Sequence, residues 1–510
     1  MKLIFKCFLL LFAIIPALSN TNLLIAQEGL KYDSLDRARE LAYSGEFQNA
    51  IRILDEIHRN EQNPEALHLH AQILYWTESR AEAVSMFRQA ISADPDNFEL
   101  VKEAGVIFFD YGRLILSRNL LRRYESYDAS DADVQYLLAW LDFWDGKSVK
   151  AKKRISDFLE IYPENSDAQS LLNTIKQTTS PVISSETKFQ SGVDYMDTMN
   201  LTAGLEWYHS RLLSLSAVID ARQFEFNESR YNSIWLHGVN TFSTGLSGFS
   251  LTTGAGFFGR SVNANSEITW QLRASQRFLN DLTFEGFYAR EPYQHTTFSI
   301  MSEDAVMFKE YGVSLNYNHN DRYLGKAVVH ENKFEGAGKV RNIYAWMVIP
   351  LFTLGSADLS AGYAISYSDA DRSTFNPLFT PDGTILTDDV GNVKGAYDPY
   401  YSPLEQFIQR GIIILGIQPS SRLNFSFSFK YGFMASGQTP FLFTNLNDSG
   451  EVVVERGYLK SDFNPIDVEG EVRFRVSPLF MINAEYAYRE LFFYSSHYGG
   501  IKLSYQFPAR

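Results

Sequence analysis

Apolar residues recur with two different periods along this chain, and the change between them falls near residue 180. From about residue 30 to 178 they return every three or four positions, the spacing of helices that bury one face. Beyond about residue 184 they return every second position, as strands with two unlike faces require. From Leu423 onward, Phe425, Phe427 and Phe429 alternate with Asn424, Ser426, Ser428 and Lys430. Val468, Val472, Phe474 and Val476 alternate in the same way with Glu469, Glu471, Arg473 and Arg475. The predicted fold class is a two-domain α + β chain, with a helical solenoid first and an antiparallel β-barrel after it.

The helical part repeats. Gly45, Glu78, Gly112 and Gly146 occupy equivalent turn positions, 33, 34 and 34 residues apart. Small or polar residues follow each turn by five positions (Ala50, Ala83, Ser117, Ala151), and larger apolar ones by nine (Leu54, Phe87, Leu121, Ile155). Ala38, Ala71, Gly105 and Ala139 precede the turns by seven. Small side chains let the two helices of a hairpin approach closely, while the large ones fill the space between hairpins. Asp94-Pro95 and Tyr162-Pro163 close the second and fourth units, whereas the first and third lack that proline. The pattern resembles the tetratricopeptide repeat, which implies about four helical hairpins over residues 30–178 and protein partners recruited through an exposed face. Tyr75, Trp76, Phe108, Trp140 and Trp144 are the candidates for an exposed concave face on which sugars could stack, the alternative being that they pack against the neighbouring repeat. Residues 179–184 then break the helical pattern as a linker.

In the remainder, residues 185–510, about sixteen alternating segments can be counted, an even number such as single-chain bacterial barrels have. Links from even to odd segments are short (His209-Ser210, Asn280-Asp281, Ser477-Pro478), and three links from odd to even are long: Glu291 to Val306, Asp369 to Leu404 and Ser436 to Phe463. Barrels of the outer membrane have short periplasmic turns and longer external loops, so this parity places both barrel ends, and the helical array, in the periplasm. Gly500, Leu503, Tyr505 and Phe507 resemble the terminal-strand signal read by the barrel-assembly machinery. The expected surroundings are outer-membrane lipid outside and water inside.

The start of the chain agrees with export. Lys2 and Lys6 precede an apolar run from Cys7 to Ile15, and Ala17 and Ser19, or a later cut near Ala26 or Gln27, complete a secretory signal over residues 1–27. Cys7 is the only cysteine, so disulfides and thiolate chemistry are absent from the processed chain. A net charge of -14 excludes nucleic acid as a partner. His237, His295, His319, His330 and His497 are scattered without a nucleophile motif, and no acid spacing matches a calcium loop. No enzyme activity, metal or cofactor is therefore expected.

A repeat array leading into a barrel of this size resembles the outer-membrane exporters of exopolysaccharides, of the type found in the cellulose synthase complex and in the poly-N-acetylglucosamine export porin. Tyr397-Asp398-Pro399-Tyr400-Tyr401-Ser402-Pro403 is similar to an aromatic-Ser-Pro element in the barrel of the cellulose exporter. The resemblance implies export of a polysaccharide, with the array guiding polymer or recruiting periplasmic or inner-membrane proteins. The alternative is a non-catalytic scaffold barrel resembling the YaiO family. By alternation the lumen-facing candidates are Asp194, Glu206, Asp220, Arg222, Arg273, Arg277, Glu285, Glu469, Glu471, Arg473, Arg475, Glu485, Arg489 and Lys502.

Overall fold

The computed structural model describes residues 29–508 apart from 61, 194–195, 227, 263–264, 280, 381, 390, 448 and 492–493. The expected signal segment and Asp194 lie outside the described residues. The chain divides into two compact units between Leu137 and Leu138.

Nine helices precede the first strand among the described residues: α1 (Gly29–Tyr43), α2 (Phe47–Asn60), α3 (Pro64–Trp76), α4 (Arg80–Ala93), α5 (Phe98–Asp110), α6 (Leu114–Glu125), α7 (Ala132–Trp144), α8 (Ser148–Ile161) and α9 (Ser166–Thr178). All four expected hairpin turns have left-handed backbone: φ is 86° at Gly45, 59° at Glu78, 70° at Gly112 and 72° at Gly146. In each, the next residue's N–H reaches back five residues to a carbonyl, from Glu46 to Leu41 (2.8 Å), Ser79 to Leu74 (2.9 Å), Arg113 to Phe108 (2.8 Å) and Lys147 to Asp142 (2.8 Å). This is the Schellman closure of a helix end, and it needs a residue in the left-handed region. The small positions are fully buried at Ala38, Ala50, Ala71, Ala83, Ser117, Ala139 and Ala151, as are Leu54, Phe87, Leu121 and Ile155. At Gly105 even a methyl group would lie 2.7 Å from Leu121 Cδ2. Asn63, Asn97 and Asn165 cap the helices that follow by accepting from Ala66, Leu100 and Ala168 N–H, and Asp131 does the same for Val134 at 3.1 Å.

The barrel strands are β1 (Val182–Val193), β2 (Met196–Ser210), β3 (Leu213–Phe226), β4 (Ser229–Ser243), β5 (Phe249–Arg260), β6 (Ser266–Phe278), β7 (Leu282–Pro292) and β8 (Met307–His319), followed by β9 (Tyr323–Phe334), β10 (Gly338–Leu354), β11 (Ala357–Ala370), β12 (Leu404–Ser420), β13 (Leu423–Leu446), β14 (Ile466–Ser477), β15 (Phe480–Leu491) and β16 (Tyr494–Gln506). Each pairs antiparallel with its neighbours, and β1 pairs with both β2 and β16, so the sixteen close into a ring without a free edge. Leu201, Leu205, Ile219, Leu236, Phe257, Leu272, Ile343, Phe427 and Leu503 are exposed on the outer face. A closed ladder with an apolar exterior satisfies every backbone group internally, the condition for crossing lipid with strands. No described helix is long and apolar enough to cross a membrane.

Two sequence expectations are corrected. The stretch from Ser436 to Phe463 is not a loop, because β13 continues to Leu446 and pairs with Val452–Phe463, forming a hairpin that extends past the ring. The expected linker shrinks to residues 179–181, and these are held: the Trp207 indole donates to Thr179 O (3.1 Å) and Phe507 N–H donates to Pro181 O (2.9 Å).

The last repeat turn is seated on the short-turn end of the ring. Arg211 N–H donates to Gly146 O (2.9 Å), and the Asp145 carboxylate, almost fully buried, takes Arg211 Nη1 (3.3 Å), Lys147 Nζ (2.5 Å) and Leu246 N–H (3.2 Å). Glycine is required on both sides of the contact. A Cβ on Gly146 would lie 2.6 Å from Arg211 Cβ, and one on Gly245 would lie 2.3 Å from Asp145 O.

Candidate functional site

Strand register decides which side chains share the inner wall. Thr202 stands opposite Asp220, Asn200 opposite Arg222, Arg273 opposite Phe287 and Glu471 opposite Glu485, so each lies on the face away from the exposed aliphatic residues. Glu206, Arg277, Arg475 and Lys502 occupy the same face, opposite Ser216, Thr283, Met481 and Asn483.

Most of these charges are joined in pairs. Arg222 grips Asp220 through two bonds (3.0 and 2.9 Å), Arg273 meets Glu285 (3.0 Å) and Arg473 grips Glu471 (2.7 Å). Glu469 is shared by Lys430 (3.1 Å) and Arg489 (3.4 Å), while Glu485 meets Lys188 (3.4 Å) and the Tyr498 hydroxyl. Arg410 joins Asp467 at 3.0 Å. Lys188, Arg410, Lys430, Asp467 and Tyr498 are not among the candidates read from sequence, although the same alternation places them. Ser428, Glu469, Glu471, Glu485, Arg489 and Tyr498 line a polar recess of about 520 Å³. The wall therefore offers hydroxyls, carboxylates and guanidinium groups whose charges are mutually compensated, suited to many weak hydrogen bonds rather than one strong ionic one. Farther round the ring, the Trp235 indole lies 4.4 Å from the His237 ring and donates to Thr269 Oγ1 (2.9 Å).

At the long-loop end two connections turn inward. Residues 293–306, between β7 and β8, carry the short helix α10 (Thr297–Met301), and Ile300 packs in a buried cluster with Met196, Phe224 and Tyr231. Ser233 Oγ donates to Gln294 Oε1 (2.7 Å). Residues 371–403, between β11 and β12, bring in Tyr400, which is fully buried and stacked on Phe334 at 3.7 Å. Burial, with Asp371 nearby, pushes the Tyr400 phenol up to about 12. The two connections also bind each other, Thr296 Oγ1 donating to Pro399 O (2.8 Å) and Tyr401 N–H to Tyr293 Oη (3.1 Å).

In the array, the aromatic candidates separate. Phe108 is no surface residue, being 1% exposed and edge-on to Phe87 at 6.3 Å inside the repeat core. Tyr75 is half-buried against Tyr111 (5.6 Å). Trp76, 38% exposed, lies against Tyr43 and Phe47, and Trp144, 42% exposed, lies 5.0 Å from Trp140. In β16, Leu503 and Tyr505 point outward, Gly500 faces the lumen beside Glu485 and Lys188, and the Phe507 ring packs on Tyr505 at 5.5 Å just past the strand. No cluster of three or more potential metal ligands occurs among the described residues.

No protein-family model matches the chain, and no curated protein matches it. Among solved structures, one titled a bacterial polysaccharide outer membrane secretin aligns over 65% of this chain and 99% of its own, at 9% identity and a TM-score of 0.44. A MamA protein from Desulfovibrio magneticus RS-1 aligns over 30% of this chain and 86% of its own (19% identity, TM-score 0.27). YrrB, a TPR protein with an unusual peptide-binding site, aligns over 28% and 74% (18% identity, TM-score 0.27). Scores of this size carry no conclusion about function, which has to come from the wall and its residues.

Proposed function

We propose that this chain is an outer-membrane channel that exports a polysaccharide, with its repeat array on the periplasmic side guiding polymer or recruiting partner proteins. The observation that carries the reading is the compensated inner wall. Eight ion pairs among the described residues, including Arg222–Asp220, Arg273–Glu285, Arg410–Asp467, Lys430–Glu469 and Arg473–Glu471, set both signs beside each other along the lumen. Such a surface exchanges hydrogen bonds with the hydroxyls of an uncharged or weakly charged glycan and holds no part of it tightly, whereas a wall of one sign would trap a polymer of the other. The sequence resemblance to exopolysaccharide exporters points the same way. The short turns and the last repeat hairpin share one end of the barrel, which supports a periplasmic entrance. No catalytic role is assigned, since the inner histidines lack a nucleophile beside them in the sequence pattern.

The test is secretion. A deletion strain should lose its matrix polymer and regain it when the full chain is restored; unchanged secretion in the deletion strain refutes export. The second reading, a scaffold that recruits proteins through the exposed Trp76 and Trp144 faces, is favoured if the purified barrel passes no current in any form.

A further inference from the structure

The outer face of the barrel, apolar along the middle of its strands, ends at the long-loop side of β7–β10 in a line of cations. Arg290 on β7 is paired in register with Lys309 on β8, Lys309 with Lys333 on β9, and Lys333 with Lys339 on β10. By strand alternation all four share the face of Tyr288, Tyr311, Val329 and Ile343, which are exposed on the outside of the ring. Arg341 follows Lys339 on the same face. Neighbouring strands lie about 4.8 Å apart, so a row across four of them covers about 14 Å of the rim.

Like charges on directly opposed residues of adjacent strands destabilise a sheet, and here that arrangement occurs three times in succession. The fold offsets the repulsion only toward the ends of the row. Glu267 and Glu335 take Arg290 (2.9 and 3.0 Å), Glu335 also takes Lys309 (3.5 Å), and Glu331 takes Lys339 (3.3 Å) and Arg341 (2.9 Å). Lys333, exposed at the centre, meets no carboxylate among the described residues. Five cations thus stand among three acids, a local positive excess on a chain whose net charge is -14. Two residues down their strands from Arg290 and Lys309, Tyr288 and Tyr311 lie edge-on to each other (6.1 Å), and Trp270 lies edge-on to Tyr288 (4.6 Å). Aromatic girdles mark the two interfaces of a transmembrane barrel, so the cations stand at the level of lipid head groups.

We propose that this row is a binding site for a lipid head group that carries two separated phosphates, the phosphorylated glycolipid of the outer leaflet, with Lys333 at its centre. A phosphate set between ammonium groups removes the repulsion that the fold leaves in place, and forms charge-assisted hydrogen bonds with them. A head group with one phosphate reaches only part of a row this long. The acyl chains of the bound lipid lie below it, against Val313, Val329 and Ile343. The site is on the outside of the wall and rests on the outward placement of the long loops proposed above, and on nothing about the cargo.

Native mass spectrometry of the detergent-solubilised full chain, titrated with bis-phosphorylated lipid A, tests it. Lys333→Gln should weaken binding about tenfold, the factor that the loss of one charge-assisted hydrogen bond corresponds to, and Lys309→Gln with Lys333→Gln and Lys339→Gln should weaken it about a hundredfold or more. In phosphatidylcholine nanodiscs Lys333→Gln should raise the barrel's thermal midpoint, because it relieves repulsion; with lipid A added it should lower the midpoint relative to the unaltered chain. A residue with a merely structural role would not change sign. Unaltered binding by the triple variant, folded by its heat-shifted mobility on a gel, overturns the proposal, as does equally tight binding of phosphatidylglycerol or of lipid A stripped of its phosphates. Orientation is read separately by labelling Asp389→Cys on intact cells with a membrane-impermeant maleimide, the chain's only other cysteine being Cys7 in the expected signal segment. Labelling together with an unaltered triple variant removes the site and leaves the outward loops standing, whereas a chain that stays unlabelled until the cells are opened overturns both.

Discussion

Glu78 offers a clean measure of what the repeat turns cost. It is the one turn of the four aligned positions that lacks glycine, yet its φ of 59° matches Gly45, Gly112 and Gly146. Left-handed backbone costs an L-residue roughly 1–2 kcal/mol. Glycine avoids this but loses more freedom on folding, about 0.4–1 kcal/mol. Glu78→Gly should therefore stabilise the array by about 0.5–1 kcal/mol, raising its thermal midpoint by about 2 °C. Gly112→Ala runs the other way by a similar amount, because nothing lies within 4 Å of the added methyl and only the backbone objects. Gly146→Ala should lose far more, since its methyl meets Arg211 Cβ at 2.6 Å and breaks the seat on the barrel. Circular dichroism at 222 nm on the detergent-solubilised chain reads the helices, the barrel strands melting separately. A lowered midpoint for Glu78→Gly, or equal losses for Gly112→Ala and Gly146→Ala, refutes the assignment of strain to the turns.

Burial holds the stacked pair His58 and His70 below the ordinary histidine value, His58 further depressing His70 while Asp55 partly opposes. The folded pKa lies under the unfolded one, so their contribution is complete above about pH 6.5 and is lost as pH falls below it; array melting should drop between pH 7 and 5, and a flat profile in the native chain would contradict this. Phe108→Ala should destabilise the array by about 3–5 kcal/mol without selectively affecting a partner, whereas Trp144→Ala should leave melting nearly unchanged; the opposite pattern in the same melts would return Phe108 to the surface. In purified barrel reconstituted in planar bilayers, with residues 294–305 and 372–402 replaced by short turns, Arg473→Gln with Arg475→Gln should shift the reversal potential in a KCl gradient toward cations, and an unmoved potential would place those side chains off the ion path.

Much of this architecture is legible in the sequence because two periods carry it. The number of strands follows from alternation, and the hairpin turns from a spacing that makes Glu78 the counterpart of three glycines. A further repeat signal lies in Asn63, Asn97, Asp131 and Asn165, which recur every 34 residues and cap the helices. Phe108 is misplaced by sequence reasoning because helical spacing says which residues share a face but not which neighbour covers it. The hairpin beyond Ser436 is hidden by Pro440 and polar Asn445, which resemble loop residues until Val452–Phe463 pairs with them. Partners on the wall, such as Arg410 with Asp467, depend on register, and the inward course of residues 293–306 depends on Arg260 and Phe224 far back in the chain. Neither has a local signature.

The interlocked glycines Gly146 and Gly245 also govern how such a chain can be lengthened. The α7–α8 hairpin is committed to the barrel rim by Asp145 and Arg211 and the end of α9 by Trp207, so a repeat inserted after α8 or α9 would tear out that joint. Additional hairpins can be admitted only upstream of α7, where each new unit needs nothing but the 34-residue spacing to dock on the one behind it. Growth by duplication is thus directional, and the barrel's foundation stays fixed while the superstructure is free to vary in length.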